Sequence, residues 1–374
     1  VIIDANLLKL VSQMIEIPSV SGDERTILAW LTSALEHQTF DEVHSTDLFV
    51  AGRLRGSSSD TAIVLCGHVD TVSAGDEQSW TTSPWNATVC GTSLRGLGST
   101  DMKGGFAAQL CAAIDCRSVI DRDVWIVGVA EEETTGAGSQ SFNRWFSDRY
   151  AYTDVQCVIA EPTDLDRIEV GHRGNMFVNA TWNGPSGHGS DQDLYIPSAM
   201  HGAAQFLVDV PNVVDGLDVF ADELLGHPSV VATSIIAGSD TSPNKIAGQA
   251  TVVLDIRTTP TFEREAANWL EQLGHKYGFT YGTLHDPIPA ALCPSDALIV
   301  RQLAAASGVE KLSASRGATD QVFFQNCGIP TVVFGPGTFD LAHTRDESIE
   351  LDLLQQSYEM FCRLLRGQTV SDAG

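Results

Sequence analysis

The sequence predicts an α/β protein: a mixed, mostly parallel sheet carrying helices on both faces, into which a smaller βαββαβ unit is inserted. Three observations predict it. Apolar runs of strand length, Thr61 to Cys66, Val124 to Ala130, Val155 to Ala160 and Pro330 to Phe334, are continuous rather than alternating, as in parallel strands buried on both faces. Segments of helical period separate them, the order expected of strands joined by crossovers. From Gly174 to about His285 the rhythm changes and reads as a compact insertion.

Taken in order, Leu7, Leu8, Val11, Met14 and Ile15 repeat at helical spacing until Pro18 stops them. A second helix starts near Asp23, with Ile27, Leu28, Leu31 and Leu35 on one face. Between the first two core strands, Met102 to Ile114 is alanine-rich and helical in period. The insertion reads strand (Met176 to Trp182), helix (Pro197 to Val208), strand (Val230 to Ala237), strand (Gly248 to Ile256), helix (Phe262 to Tyr277), strand (Phe279 to Leu284), a ferredoxin-like order. After it come a helix from Asp296 to Ala306, the strand TVVFG and a closing helix from Leu351 to Leu365. A chain of 374 residues exceeds what one hydrophobic core usually supports. Two domains are therefore expected, residues 1–173 with 286–374, and residues 174–285.

Composition excludes several function classes. With 22 basic against 48 acidic residues the formal charge is −26, the wrong sign for neutralising phosphates, so neither nucleic acid nor an anionic membrane surface is an expected partner. No apolar stretch approaches the ~18 residues of a membrane span. Eight cysteines occur without a CxxC pair, several of them inside apolar runs such as AIVLCG and QCVIA. They read as buried reduced thiols, and the expected compartment is the cytoplasm.

The acids and histidines fall in an informative place. AIVLC runs into His68 and Asp70, VWIVGVA runs into Glu131, Glu132 and Glu133, and QCVIA runs into Glu161. A glutamate run alone is ordinarily a solvated face. Three core strands ending in potential ligands point instead to one crevice, because sites in open α/β sheets form at the carboxyl ends of strands. Asp101, in RGLGSTDMKGG, and His343, in GPGTFDLAHTRDE, add to the set. Two histidines and several carboxylates with no thiolate suit zinc, cobalt or manganese better than calcium.

In order along nearly the whole chain, GHVDTV, GLGSTDMKGG, EEETTGAGS, AEPT and GPGTFDLAHTRDE resemble the successive motifs of the M20 metallopeptidase family. The resemblance implies a dinuclear zinc amidohydrolase that cleaves N-acyl amino acids, with the insertion as its lid and dimerisation domain and a homodimer as its working form. It makes Asp101 the carboxylate shared by two metals, with His68 and Glu161 completing one site and Glu133 and His343 the other. Two divalent ions against three carboxylates leave a net positive charge, which favours a hydroxide and an anionic substrate oxygen. Counting back from Gly138 and Ser139 places the ligand at Glu133 and the general base at Glu132, which would move a proton from water to the leaving nitrogen. Asp70, two positions after His68, is expected to accept a hydrogen bond from the free ring nitrogen and fix its tautomer.

The same resemblance gives His188, in GPSGHGSD, the task of stabilising the oxyanion in the partner subunit's active site; Gly189 stands where the family usually has serine. Arg257 in LDIRTTP, Asn244 in SPNKIAG and Arg173 in VGHRGN match polar positions that would hold a substrate carboxylate, a task to which the planar fork of arginine is suited. A structural ion pair is the competing role for Arg173. Thr319 and Asp320, in RGATDQ, match a turn near the substrate, and Asp320 is left out of the site. The tail motif and HDPIPAALCP resemble the branch of the family that deacetylates N2-acetylornithine to ornithine and acetate. Succinyl-diaminopimelate desuccinylation and a broader aminoacylase or dipeptidase activity are the alternatives.

Rival readings fare worse. GLGSTDMKGG is no phosphate loop, because Gly104 follows the lysine where Ser or Thr would hold magnesium. A serine hydrolase built on Ser186 or Ser190 lacks the G-x-S-x-G elbow. A noncatalytic binding relative would lack a ligand or the base, and all six positions are filled here.

Overall fold

A computed structural model describes residues 2–58 and 60–373. Two compact units account for them. The first comprises 1–170, 293–313 and 319–374, and the second 171–292 with 314–318, where the sequence placed the limits at 174 and 285.

In the first unit the strands Asp123–Val129, Thr61–His68, Asp154–Ile159 and Thr331–Val333 lie side by side and parallel. Antiparallel strands flank them: Phe49–Leu54 and Glu42–Ser45 at one side, and at the other Ile168–His172, of which residues 168–170 belong to this unit. The sheet is thus mixed, with a parallel centre. Every residue of Asp123–Val129 and all but the first of Thr61–His68 are buried, which is why these segments read as unbroken apolar runs.

Helices cover both faces. Where a side chain would leave Gly128, on one face of its strand, it would meet Leu31 and Phe106 from the helices Arg25–His37 and Lys103–Cys116. Trp125, of opposite parity and so on the other face, packs edge-on against Phe146 of the helix Ala137–Arg149. Lys103–Cys116 is buried on nearly all sides, because the helices Ala5–Ile15 and Leu351–Leu365 also pack on it. Its alanines and glycines let it come close: a Cβ on Gly105 would lie 2.1 Å from the carbonyl oxygen of Ala160. That approach sets Asp101, just before the helix, beside Glu161, just after the strand Asp154–Ile159.

The second unit is a four-stranded antiparallel sheet in the order Ser229–Ala237, Gln249–Thr258, Gly174–Asn183, Thr280–Thr283. Burial alternates along Gly174–Asn183 and Gln249–Thr258, the mark of a sheet with one covered face. Val178, Ala180, Val252, Leu254 and Ile256 form that face with Phe206 and Phe262 from the helices Ala199–Asp215 and Pro260–Tyr277. The first helix runs past the expected end at Val208 and contains Pro211. Among the described residues no helix is long and apolar enough to cross a membrane.

Candidate metal centre

The ends of three parallel strands and two loops bring the ligand set together inside the first unit. His68 closes the strand Thr61–His68 and is almost wholly buried. Its Nε2 lies 3.0 Å from Asp101 Oδ1 and 3.5 Å from Glu161 Oε1. The other oxygen of Asp101, Oδ2, lies 3.3 Å from His343 Nε2, which is itself 2.9 Å from Glu133 Oε1. Asp101 therefore presents one oxygen to each histidine, and each histidine has a further carboxylate of its own. Glu132 is also in the cluster, with an oxygen close enough to His68 and Glu161 for the three to surround one ion.

The electrostatics follow from packing four acids around two imidazoles. Although burial disfavours its charged form, the carboxylates of Glu161 and Asp101 hold the His68 imidazolium well above the usual histidine range. Asp101 and Glu133 raise His343 to about 10. Burial opposes ionisation of Asp101, but hydrogen bonds from His343 and His68 keep its carboxyl well below the usual carboxylate range. Burial, reinforced by the charge of Asp101, pushes Glu161 up. The two imidazoliums thus offset the negative charge where cations are expected.

This arrangement fits divalent ions. The donors are nitrogen and oxygen only, and the aspartate has an oxygen for each of two positions. Each ion must displace a proton from its histidine, so acidification weakens binding: apparent affinity falls about tenfold per pH unit for each proton displaced. Titration calorimetry in buffers of different ionisation heat, between about pH 6 and 8, is expected to register at least one proton released per ion. Binding without proton release contradicts the assignment of His68 and His343.

Asp70 faces the expected ring nitrogen of His68, but its main chain comes nearer than its carboxylate. His68 Nδ1 lies 3.0 Å from the Asp70 main-chain carbonyl and 3.6 Å from the carboxylate, so the carbonyl is the closer acceptor fixing the ring. The carboxylate accepts the main-chain N–H groups of Glu132 and Glu133, each at 3.2 Å, and the Ser21 hydroxyl at 2.8 Å.

Several supporting groups were given no role by the sequence. Glu347 is buried and accepts the amides of Thr100 and Asp101 at 2.9 and 3.1 Å; burial, with the charge of Asp101, raises it to about 8. Lys103 is fully buried and donates to the carbonyls of Met14 and Ile17 at 3.0 and 3.2 Å, so it ties the Asp101 loop to the first helix. Asp320, set aside in the sequence, is 2% exposed and raised to about 7 by burial. Its charge acts on Glu132.

Thr319, at the turn before Asp320, accepts the Gln321 amide at 3.3 Å. The remaining predicted residues lie in the second unit. His188 pairs across a two-residue ladder with Lys245, and Asn244 Nδ2 comes within 3.5 Å of His188 Nε2. The Ser190 amide donates to His188 Nδ1 at 3.3 Å, with the Ser190 hydroxyl 2.8 Å away. Arg257 binds Asp255 through Nε at 2.8 Å and Nη2 at 3.1 Å. Arg173 donates to the His227 carbonyl at 3.0 Å.

Comparison with known proteins extends these observations. The profile of peptidase family M20/M25/M40 matches residues 64–367. An acetylornithine deacetylase from Photorhabdus laumondii is 30% identical, over 96% of each chain. Among solved structures, aminopeptidase PepT from Bacillus cereus superposes with a TM-score of 0.77 over 98% of this chain and 99% of that one, at 17% identity. A dinuclear metal-binding M20 peptidase from Bacillus subtilis superposes with a TM-score of 0.71 over 96% of each chain, at 16% identity.

Proposed function

The chain belongs to peptidase family M20/M25/M40, and from that premise we propose that it is a dinuclear zinc amidohydrolase that deacetylates N2-acetylornithine in the cytoplasm. The observation that carries the dinuclear reading is Asp101, with Oδ1 toward His68 and Oδ2 toward His343. His68, Asp101 and Glu161 would hold one ion and Asp101, Glu133 and His343 the other; cobalt or manganese would satisfy the same donors. Bound there, the ions would supply Lewis-acid polarisation of the amide carbonyl and would make the attacking water more acidic.

The chain's own residues supply the rest. Glu132, beside the ligands but spared by the two-site assignment, takes the water's proton and delivers it to the leaving nitrogen. Asp70 holds the amides of Glu132 and Glu133. His188, acting in the partner subunit of a homodimer, donates to the developing oxyanion. Its Nδ1 accepts from Ser190, which supports a ring proton on Nε2, the nitrogen near Asn244. Arg257 keeps the Nη1 edge of its guanidinium for a substrate carboxylate while Asp255 holds the Nε edge. Asn244 and Thr319 would line the substrate, and Arg173 would act through the loop it braces at His227.

The acetyl group rests on the 30% identical relative. Side-by-side hydrolysis of N2-acetylornithine and N-succinyl-diaminopimelate by zinc-loaded protein tests it. The expected result is a kcat/KM at least about tenfold higher for the acetylated substrate, a difference of about 1.4 kcal/mol in transition-state binding. Preference for the succinylated one keeps the chemistry and overturns the substrate; hydrolysis of neither directs the search to dipeptides and other acylated amino acids.

A further inference from the structure

Three consecutive glutamates pose a problem of register, because each side chain has the chemistry to be ligand or base. What distinguishes them is the backbone that aims them. All three main-chain N–H groups end on a carboxylate: Glu131 on Glu24 Oε1, Glu132 on Asp70 Oδ1 and Glu133 on Asp70 Oδ2, each at 3.2 Å. Asp70 already belongs to the centre. Glu24, from a distant loop, does not.

Glu24 is 5% exposed. Its Oε1 also accepts the Gly22 amide at 2.9 Å, so the side chain is held from both directions. The segment that carries it is laced to the chain around Asp70. Ser19 Oγ donates to the Val69 carbonyl at 2.7 Å, the Thr71 amide to the Ser19 carbonyl at 2.9 Å, and the Ser21 amide to the Thr71 carbonyl at 3.1 Å. Glu24 and Asp70 therefore form one bracket.

The bracket grips a residue that needs holding. Glu131 has φ of +59°, in the left-handed region that a glutamate rarely adopts. Its carbonyl accepts the amides of Gly136 at 2.7 Å and Thr135 at 3.0 Å, and its side chain is turned to the Thr135 hydroxyl at 2.8 Å. Glu131 thus points away while Glu132 and Glu133 join the ligand cluster.

We propose that Glu24 is a positioning residue: by accepting the Glu131 amide it keeps Glu131 in its left-handed turn, and so decides which glutamate is ligand and which is base. The inference rests on the assignment of Glu133 as ligand and Glu132 as base. It reaches a residue outside the proposed ligand set.

The test compares two neutral substitutions of similar length, Glu24→Gln, which keeps an acceptor oxygen, and Glu24→Met, which does not. The readouts are zinc affinity by competition with a chromogenic chelator, hydrogen exchange of the 131–133 amides, and kcat and KM separately. Loss of an outer partner typically weakens metal affinity or activity about 10–100-fold. The Met variant is expected to show that loss in the weaker zinc step and in kcat, with KM little changed and faster exchange at Glu131; the Gln variant is expected to stay within about threefold of the parent.

Equal zinc affinity and equal Glu131 exchange in the two variants overturn the proposal. Should the Met variant fail to fold, Glu24→Asp, which draws the oxygen back by one methylene, is judged by the same outcomes. A parent protein that binds a single ion, or keeps its activity without Glu132, overturns the functional assignment instead. The exchange comparison still decides whether Glu24 holds Glu131.

Discussion

Glu132→Gln is expected to lower kcat about 10²–10⁴-fold, the usual contribution of a positioned general base, while the protein still binds two ions. The argument is one of place and of number. The proposed ligand positions are filled without Glu132, yet its carboxylate lies in the cluster with His68 and Glu161. Burial pushes its proton affinity well above that of an ordinary glutamate, and although His68 opposes this, Asp320, Glu133 and Asp101 add to it. A carboxylate that holds a proton more tightly accepts one from water more readily and retains it until the nitrogen leaves. Glu133→Gln is the control that reads the register. It should weaken one of the two metal sites, since Glu133 is 2.9 Å from His343. If the two variants exchange phenotypes, the register of the triple glutamate is wrong by one.

Asp101→Asn is expected to cost more. An asparagine offers one carbonyl oxygen in place of two and carries no charge, so whichever histidine faces the amide nitrogen loses its shared acceptor. Of the five proposed ligands this is the one whose oxygens lie 3.0 Å from His68 and 3.3 Å from His343, and among the described residues no other carboxylate lies within 4 Å of both. Metal content should fall from two ions to one or none, and kcat/KM by about 10³-fold or more, because Lewis-acid stabilisation is worth several kcal/mol. Elemental analysis of the dialysed variant beside its kinetics checks both. Retention of two ions with near-parent activity shows that Asp101 is not shared.

Much of the centre is legible in the sequence because the strands that carry it are buried on both faces. Thr61–His68 and Asp123–Val129 leave unbroken apolar runs, and a polar residue where such a run stops is conspicuous. The rest is hidden for identifiable reasons. Glu24, Ser21 and Glu347 act from irregular segments, where no periodicity marks an inward side chain, and the partners of the two glutamates are main-chain amides, which sequence does not individualise. Asp70 is visible as a residue, but its partners, the amides of Glu132 and Glu133 and the Ser21 hydroxyl, are not. The helix Ala137–Arg149 escapes because it is polar for a buried element; its packing rests on Phe142 and Phe146, which meet Phe49 and Trp125 across the sheet face.

The second unit shows the complementary case. Its alternation and helix periods give the βαββαβ order directly, and its sheet closes as the ferredoxin-like arrangement. Arginine roles are harder to read. Arg257 looks in sequence like an unengaged fork, and only the structure reveals Asp255 along one of its edges.

The central claim is a dinuclear centre bridged by Asp101. The most direct measurement is a crystal structure of the zinc-loaded protein with anomalous data collected at the zinc edge. The account predicts two peaks in each chain, one among His68, Asp101 and Glu161 and one among Asp101, Glu133 and His343, with Glu132 bound to neither ion. A single peak, or an ion ligated by Glu132 in place of Glu133, contradicts it.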